Sequence, residues 1–405
     1  MIPQRGGTVA LAKSLLALLG LVALVVYFVQ HFPQMQTGMD FTHFYAAARI
    51  VHDGRGAQLY ETAVQDEYMA RYTGRVGPYF NHPPFEALGY LPFCLSQLRT
   101  AYALWTVFNA LLLIAVARLL PAPLSLRWGW QVLLLLSLLF VPLLLNFLQG
   151  QDALVLLFFL CAAFVAAEAD HSFLSGCLLA GGLVKFHVTV PVVILLLWCA
   201  PRRMWRGFAL TALGLLLASV EISGWRVIAT YPRFVFQLNA LPLAGIHWEA
   251  MANLRGLWVS LFPQKPTLAP WLTAVSSLTL FAIAVHAARL AAKAKMHRLS
   301  WAMAVVTAIL VSYHLSPHDL TVLLLPVALI VDHVRTAKGL PASTKILIVA
   351  IIGLLGLPIS HLLLLREHLY TPMGLVVLLL YAVTYVEIGR SSAVTVHPSP
   401  ESVVR

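Results

Sequence analysis

The return of long, nearly uncharged apolar runs from one end of the chain to the other constrains its fold more than any other feature. Leu15 to Phe28, Val132 to Phe147, Ala153 to Ala167, and Leu320 to Val331 with its flanks each approach the roughly 20 residues that cross a bilayer as a helix. In lipid a backbone must satisfy its own N–H and C=O groups, so such runs fold as helices packed side by side. Composition agrees: 60% of the 405 residues are apolar and 11% charged, with a mean hydropathy of +0.83, which excludes a soluble globule. The expectation is an all-α polytopic membrane protein, with one integral domain over 1–390 and a short disordered tail at 391–405. No internal repeat is evident.

A formal net charge of +11 raises nucleic acid as a partner, but the Lys and Arg residues stand in short clusters between hydrophobic runs, not along one polar face. That pattern encodes topology, and no nucleic-acid partner is expected. The first run follows Arg5 and Lys13 in the manner of a signal sequence. No small-x-small cleavage site precedes Gln30-His31-Phe32-Pro33, so it reads as an uncleaved first span. Cys94, Cys161, Cys177 and Cys199 lie in apolar surroundings without Cys-x-x-Cys spacing, which supports neither a zinc site nor a disulfide framework.

Spans are expected near 14–30, 101–119, 130–148, 152–168, a pair within 173–200, then 207–222, 268–290, 299–313, 319–334, 343–360 and 372–388. The stretch from Phe173 to Ala200 would reach ~42 Å as one helix, too long for a single untilted crossing. If it is a hairpin of two short helices, Arg118 and Arg127, then Arg202, Arg203 and Arg206, then Arg289, Lys293, Lys295 and Arg298, then Arg335, Lys338 and Lys345 share the side of the N-terminus. The short opposing loops then hold only Arg366, as the positive-inside rule asks. The hairpin points its Lys185-Phe186-His187 tip outward, brings the total to about twelve spans, and leaves both termini cytoplasmic. Outward segments are then His31 to Thr100, Ser223 to Thr267, Tyr313 to Asp319 and His361 to Thr371.

Polar residues collect in those segments. Asp40 stands shortly beyond the first span, either as a helix N-cap or as a general base beside a lipid-borne substrate. His82, before Pro83-Pro84, either touches substrate or belongs to a junction at which Pro84 starts an interfacial helix. Gln149-Gly150-Gln151 forms a tight outward turn whose amides line a polar cavity or bond one another. Lys185 needs a partner, water or a lipid phosphate, unless it snorkels to the interface. Arg255, within Asn253-Leu254-Arg255-Gly256-Leu257, stands near headgroup level and suits bidentate phosphate binding to a substrate or an ordinary lipid. His314, His318 and Asp319 crowd one turn, where no further ligand at helical spacing supports a metal, and where Asp319 also suits the cap of the next helix.

In order along the chain stand Asp-Phe-x-x-x-Tyr-x-Ala-Ala from Asp40 through Tyr45, Gly-x-x-Leu-Tyr at Gly56 to Tyr60, Pro83-Pro84-Phe85 and Gly150-Gln151. Lys185 after a Gly-rich half-helix, Asn253 to Leu257, and His318-Asp319-Leu320 leading into Leu-Leu-Leu-Pro complete the series. Over nearly its whole length the chain resembles glycosyltransferase family 87, polyprenyl-phosphate-mannose-dependent transferases of the membrane-embedded GT-C superfamily. The resemblance implies a GT-C-like bundle of about twelve transmembrane helices, with interfacial helices in a long first extracytoplasmic loop at 31–100. It implies Asp40 as catalytic base, Lys185, Arg255 and His318 around the donor phosphate, and His82, Tyr45, Gln149, Gln151, His314 and Asp319 in the substrate pocket. Members of that family follow the Lys with Pro, whereas this chain has Phe186.

The implied reaction is inverting transfer of a hexose, mannose above all, from a polyprenyl-phosphate donor to a lipid-linked or cell-envelope glycan acceptor at the extracytoplasmic face of the plasma membrane. One carboxylate to take the acceptor proton and fixed donors for the leaving phosphate suffice for it. No nucleotide cofactor or metal is expected, in keeping with the lack of a Gly-rich phosphate loop. A multi-span transporter or lipid flippase is the competing reading, disfavoured because no repeat is evident and the polar residues gather at one face.

Overall fold

The computed structural model describes residues 5–35, 40–124, 129–238, 247–337 and 339–396. Its apolar runs fold as helices throughout, with no strand among the described residues. Helix α1 (Arg5–Met35) is followed by three helices outside the main runs, α2 (Phe41–His52), α3 (Thr62–Thr73) and α4 (Pro84–Cys94), before α5 (Leu98–Leu119). Next come α6 (Gly129–Ser137) and α7 (Val141–Gln149), bent at 71° to each other, then α8 (Ala153–Glu168). A 3-10 turn at Gly182–Lys185 joins α9 (Ser172–Gly181) to α10 (Phe186–Leu196), and α11 (Arg202–Ser223) and α12 (Trp225–Gln237) follow. The remainder is α13 (Leu254–Leu261), α14 (Leu268–Lys293), α15 (His297–Val311), a 3-10 segment Pro317–Leu323, α16 (Leu324–Thr336), α17 (Ala342–Gly356), α18 (Pro358–Arg366) and α19 (Pro372–Val396).

Seven helices are long and apolar enough to cross a membrane, or nine if each bent pair is one span, and α8 and α15 are shorter apolar helices. That is fewer than the twelve crossings expected. Both bent pairs, α6 with α7 and α17 with α18 at 52°, break where Pro142 and Pro358 open the second helix, because proline lacks the N–H that would continue the first. Large apolar side chains such as Leu19, Trp271 and Leu278 stand fully outward on α1 and α14, the surface a bilayer would cover. α19 runs to Val396, into the expected tail, and 397–405 fall outside the described residues.

The run from Phe173 to Ala200 reverses direction. Lys185 leaves helical geometry at φ −116° and ψ 72°. Thr189 Oγ1 donates to the Gly182 carbonyl, although a straight helix sets residues seven apart ~10 Å from each other. The two legs then descend together. Gly176 on α9 has no room for a Cβ against the Met204 carbonyl, and Trp198 beyond α10 lies under the Arg289 guanidinium at 4.1 Å. Length and composition alone would count Ser172–Leu196 as one span, but these contacts describe a hairpin with Lys185 at its tip.

Within the segment before α5, α2 is the most enclosed helix. On α2, Phe41 to Ala48 and Ile50 are all buried. Phe44 stacks on Tyr90 at 4.6 Å, and Phe41 meets Tyr102 at 5.6 Å. Tyr102 and Trp105 on α5 donate to the carbonyls of Phe147 and Gly150, each at 2.8 Å, which ties the turn after α7 to the same aromatic layer. Gly150 closes α7 in the left-handed region at φ +64°, and a Cβ there would stand 2.6 Å from the Phe41 Cβ. Only glycine permits both that conformation and that approach. α4 begins with Pro84 in its first turn, as its sequence predicts.

Candidate active site

The loop before α4, the α7–α8 turn, the hairpin tip, α12 and the turn after α15 converge on one cavity of about 890 Å³. Eight of the ten residues singled out by sequence line it: Asp40, His82, Gln149, Gln151, Lys185, His314, His318 and Asp319. They are drawn from segments as far apart as 40 and 319 in sequence. Tyr45 and Arg255 stand outside the lining.

Asp40 occupies the N-cap position of α2, yet its side chain makes no capping bond. Gln151 Nε2 donates to its Oδ2 at 2.6 Å instead, and Oδ1 meets no donor among the described residues. The carboxylate is therefore held from one side and left available from the other. Because Phe41 packs against Gly150, the same close approach that fixes the turn carrying Gln151 also fixes the start of α2.

Lys185 is buried at the hairpin tip, with Nζ 2.7 Å from Asp152 Oδ1 and 3.0 Å from Asp319 Oδ1. A lone ammonium there would cost several kcal/mol, so the pairing is what lets the residue stay charged. Asp319 is itself fixed by a capping box, accepting from the Ser316 backbone N–H at 2.7 Å; Ser316 holds the N-cap position expected of Asp319, which stands three residues on inside the 3-10 segment. His318 bonds Gln149 Oε1 through Nδ1 at 2.5 Å and places Nε2 3.5 Å from Asp319 Oδ1. Lys185 is thus not a bare cation awaiting phosphate, because its charge is already matched by two acids.

Behind this layer lies another acid. His82 Nδ1 is 2.9 Å from Glu86 Oε2 and 3.7 Å from Asp152 Oδ2, with Glu86 and Asp152 buried. Burial, with Asp152 beside it, raises the Glu86 carboxyl well above the usual carboxylate range. Burial likewise lowers His82 to about 4, against the pull of Asp152. His43 shares the cavity wall: its ring lies 6.0 Å from that of His82, neither nitrogen has a hydrogen-bond partner, and burial followed by His82 depresses its basicity strongly. His82, Glu86 and Asp152 offer three ligand atoms within 4.8 Å of one another. Lys185 Nζ stands 2.7 Å from Asp152 Oδ1, so one oxygen of that carboxylate already faces a cation.

The two outliers have structural partners. Arg255 is sandwiched between the rings of Trp248 and Tyr313, at 4.0 and 3.8 Å, and donates to the Tyr313 carbonyl at 2.6 Å. It props the wall residue Tyr313 and does not face the cavity itself. Tyr45 points the other way along α2, donating to the Ser96 carbonyl at 2.8 Å while Arg49 stacks on its ring. His314 lines the cavity, with burial lowering it to about 4. Sequence reasoning passed over Asp152, Glu86 and His43. The signal for Asp152 was an acid directly before an apolar run, and for His43 a position one helical turn beyond Asp40.

The sequence model of Glycosyltransferase family 87 matches residues 80–317, more than half of the chain and the stretch that holds His82, Asp152, Lys185 and His314. Neither a curated protein nor a solved structure matches it.

Proposed function

The chain belongs to glycosyltransferase family 87, and from that premise we propose that it transfers a hexose, mannose foremost, from a polyprenyl-phosphate donor to a lipid-linked or envelope glycan. The observation that carries this reading is the Asp40 carboxylate, which opens onto the same cavity as Lys185 and His318 while using only one oxygen on Gln151. Asp40 takes the proton of the acceptor hydroxyl as that oxygen attacks the anomeric carbon, and the configuration inverts because one carboxylate serves one displacement. The bond from the anomeric carbon to the phosphate oxygen breaks, and charge grows on the phosphate. Hydrogen-bond donors lining the same cavity, His82, His318 and Lys185, stabilise that charge.

A lipid-borne donor fits the surroundings. α12 contributes Tyr231, Val235 and Phe236 to the cavity, while its Trp225 and Phe236 stand 64% and 65% exposed, an apolar flank suited to a prenyl chain. The basic clusters around Arg289, Lys293, Lys295 and Arg298 lie on the far ends of α14 and α15, so the positive-inside rule assigns the cavity to the extracytoplasmic face and both termini to the cytoplasm.

Purified protein in lipid nanodiscs, given labelled polyprenyl-phosphate mannose and an envelope lipid extract, should transfer label. Asp40→Asn should lower that transfer by at least about 10²-fold, the usual worth of a general base. Equal transfer by both proteins removes Asp40 from the mechanism. Transfer of another hexose in preference to mannose corrects the sugar alone.

A further inference from the structure

Buried acid exceeds buried base around the hairpin tip. Glu86, Asp152 and Asp319 are enclosed there, and the ammonium they share is Lys185. Its Nζ contacts Asp152 Oδ1 and Asp319 Oδ1, so Asp152 Oδ2 and the Glu86 carboxyl turn elsewhere. With every carboxylate ionised the group carries two negative charges in excess, and in the interior their repulsion is hardly screened. Glu86 and Asp152 lie at hydrogen-bonding distance from each other. A proton held between them offsets one of the two charges; a divalent ion offsets both.

The geometry suits an ion. A metal with bonds of about 2.1 Å holds its ligand atoms about 3.0 Å apart at right angles and about 3.4 Å apart at the tetrahedral angle. His82 Nδ1 stands 2.9 Å from Glu86 Oε2 and 3.7 Å from Asp152 Oδ2, and the three residues offer ligand atoms all within 4.8 Å of one another. The three side chains are also held in place by separate partners. The His82 carbonyl accepts from the Tyr60 hydroxyl at 2.6 Å, and its ring meets Phe44 edge to face at 4.8 Å. Glu86 lies in the first turn of α4, and the turn before Asp152 is tied to Trp105 through the Gly150 carbonyl. Lys185 on Asp152 Oδ1 is the kind of outer partner that orients a ligating carboxylate.

We propose that His82 Nδ1, Glu86 Oε2 and Asp152 Oδ2 form a divalent cation site beside the cavity, a set of one imidazole and two carboxylates that accepts Mn²⁺. It departs from the sequence-based expectation that no metal is needed, and it goes beyond the transferase reading without depending on it. Of the three ligands His82 lines the cavity, so the site would add positive charge behind that residue. Ligation through Nδ1 leaves the ring proton on Nε2, and His82 remains a hydrogen-bond donor.

The test needs no sugar. Metal-stripped full chain in nanodiscs of zwitterionic lipid, titrated with Mn²⁺ and followed by electron paramagnetic resonance of the free ion, should take up a single ion per chain. Its melting temperature should rise as Mn²⁺ is added, because the ion binds the folded state. Glu86→Gln and Asp152→Asn should each weaken uptake by at least about tenfold and abolish most of that rise. Glu86→Gln leaves both Lys185 ion pairs intact, so it decides the matter even where Asp152→Asn does not fold. No saturable uptake by the parent, or uptake by Glu86→Gln as tight as the parent's, overturns the site and leaves a shared proton as the offset.

Discussion

Two basic residues in this fold each sit between two carboxylates, and they do opposite things. Arg298, at the basic end of the bundle, spreads its guanidinium over Glu168 at 2.9 Å, Asp332 at 2.6 Å and the Pro123 carbonyl at 2.6 Å, so all three nitrogens are occupied and the side chain is still 36% exposed. Lys185, at the other end, is almost wholly buried between Asp152 and Asp319, ringed by His82, His187 and His318, and borders the large cavity. A planar fork with all three nitrogens bonded is a staple between loops. A buried ammonium that borders a large cavity is placed where a charged ligand would meet it. On the function proposed above, the difference separates a structural ion network from one that serves the reaction, although both show the same short distances.

The largest effect that tests this division is Lys185→Met. It strands Asp152 and Asp319 in the protein interior, and should cost about 3–5 kcal/mol of stability along with essentially all transfer. Gly150→Ala comes next: a Cβ at φ +64° and 2.6 Å from Phe41 must push α2, and Asp40 with it, away from Gln151. Its transfer should fall by ten- to a hundredfold, on the order expected for an ångström of misplacement, while the melting temperature moves modestly. Arg298→Met removes one charged donor from buried Asp332, so a loss of about 1–3 kcal/mol is expected, with kcat unchanged once the folded fraction is accounted for. Thermal melts beside initial rates decide all three. A catalytic defect in Arg298→Met, or an active Lys185→Met, would erase the distinction.

Much of this was legible from the letters. The apolar runs announced helices, the positive-inside argument favoured a reversal at Lys185, and Pro84 announced the start of α4. Helical phase explains two of the misplacements: His43 follows Asp40 by three residues and lies about 60° from it around the axis, whereas Tyr45 follows by five and lies about 140° away. A wheel drawn from Asp40 would have chosen His43 and turned Tyr45 to the Ser96 side. Arg255 was not legible, since its place is decided by Trp248 and Tyr313 closing over it from separate segments. Glu86 stands four residues after His82, a spacing open to reading, whereas only tertiary packing brings Asp152 to the same histidine.

The last expected effect concerns acid, and it again divides the two ends. His82 and His314 stand at about 4 in the folded protein against an ordinary 6.5, held neutral chiefly by burial. The unfolded chain therefore binds more protons than the folded one between those values, and stability must fall as pH drops from 6.5 toward 4. His82→Gln combined with His314→Gln removes two of the groups responsible, so the melting temperature of the double variant should decline less steeply over that window than the parent's. Arg298→Met leaves both histidines in place, so it should retain their share of the parent's decline. A double variant as acid-sensitive as the parent would shift the acid response from the cavity histidines to some other group, and with it one of the features that set the reactive end apart.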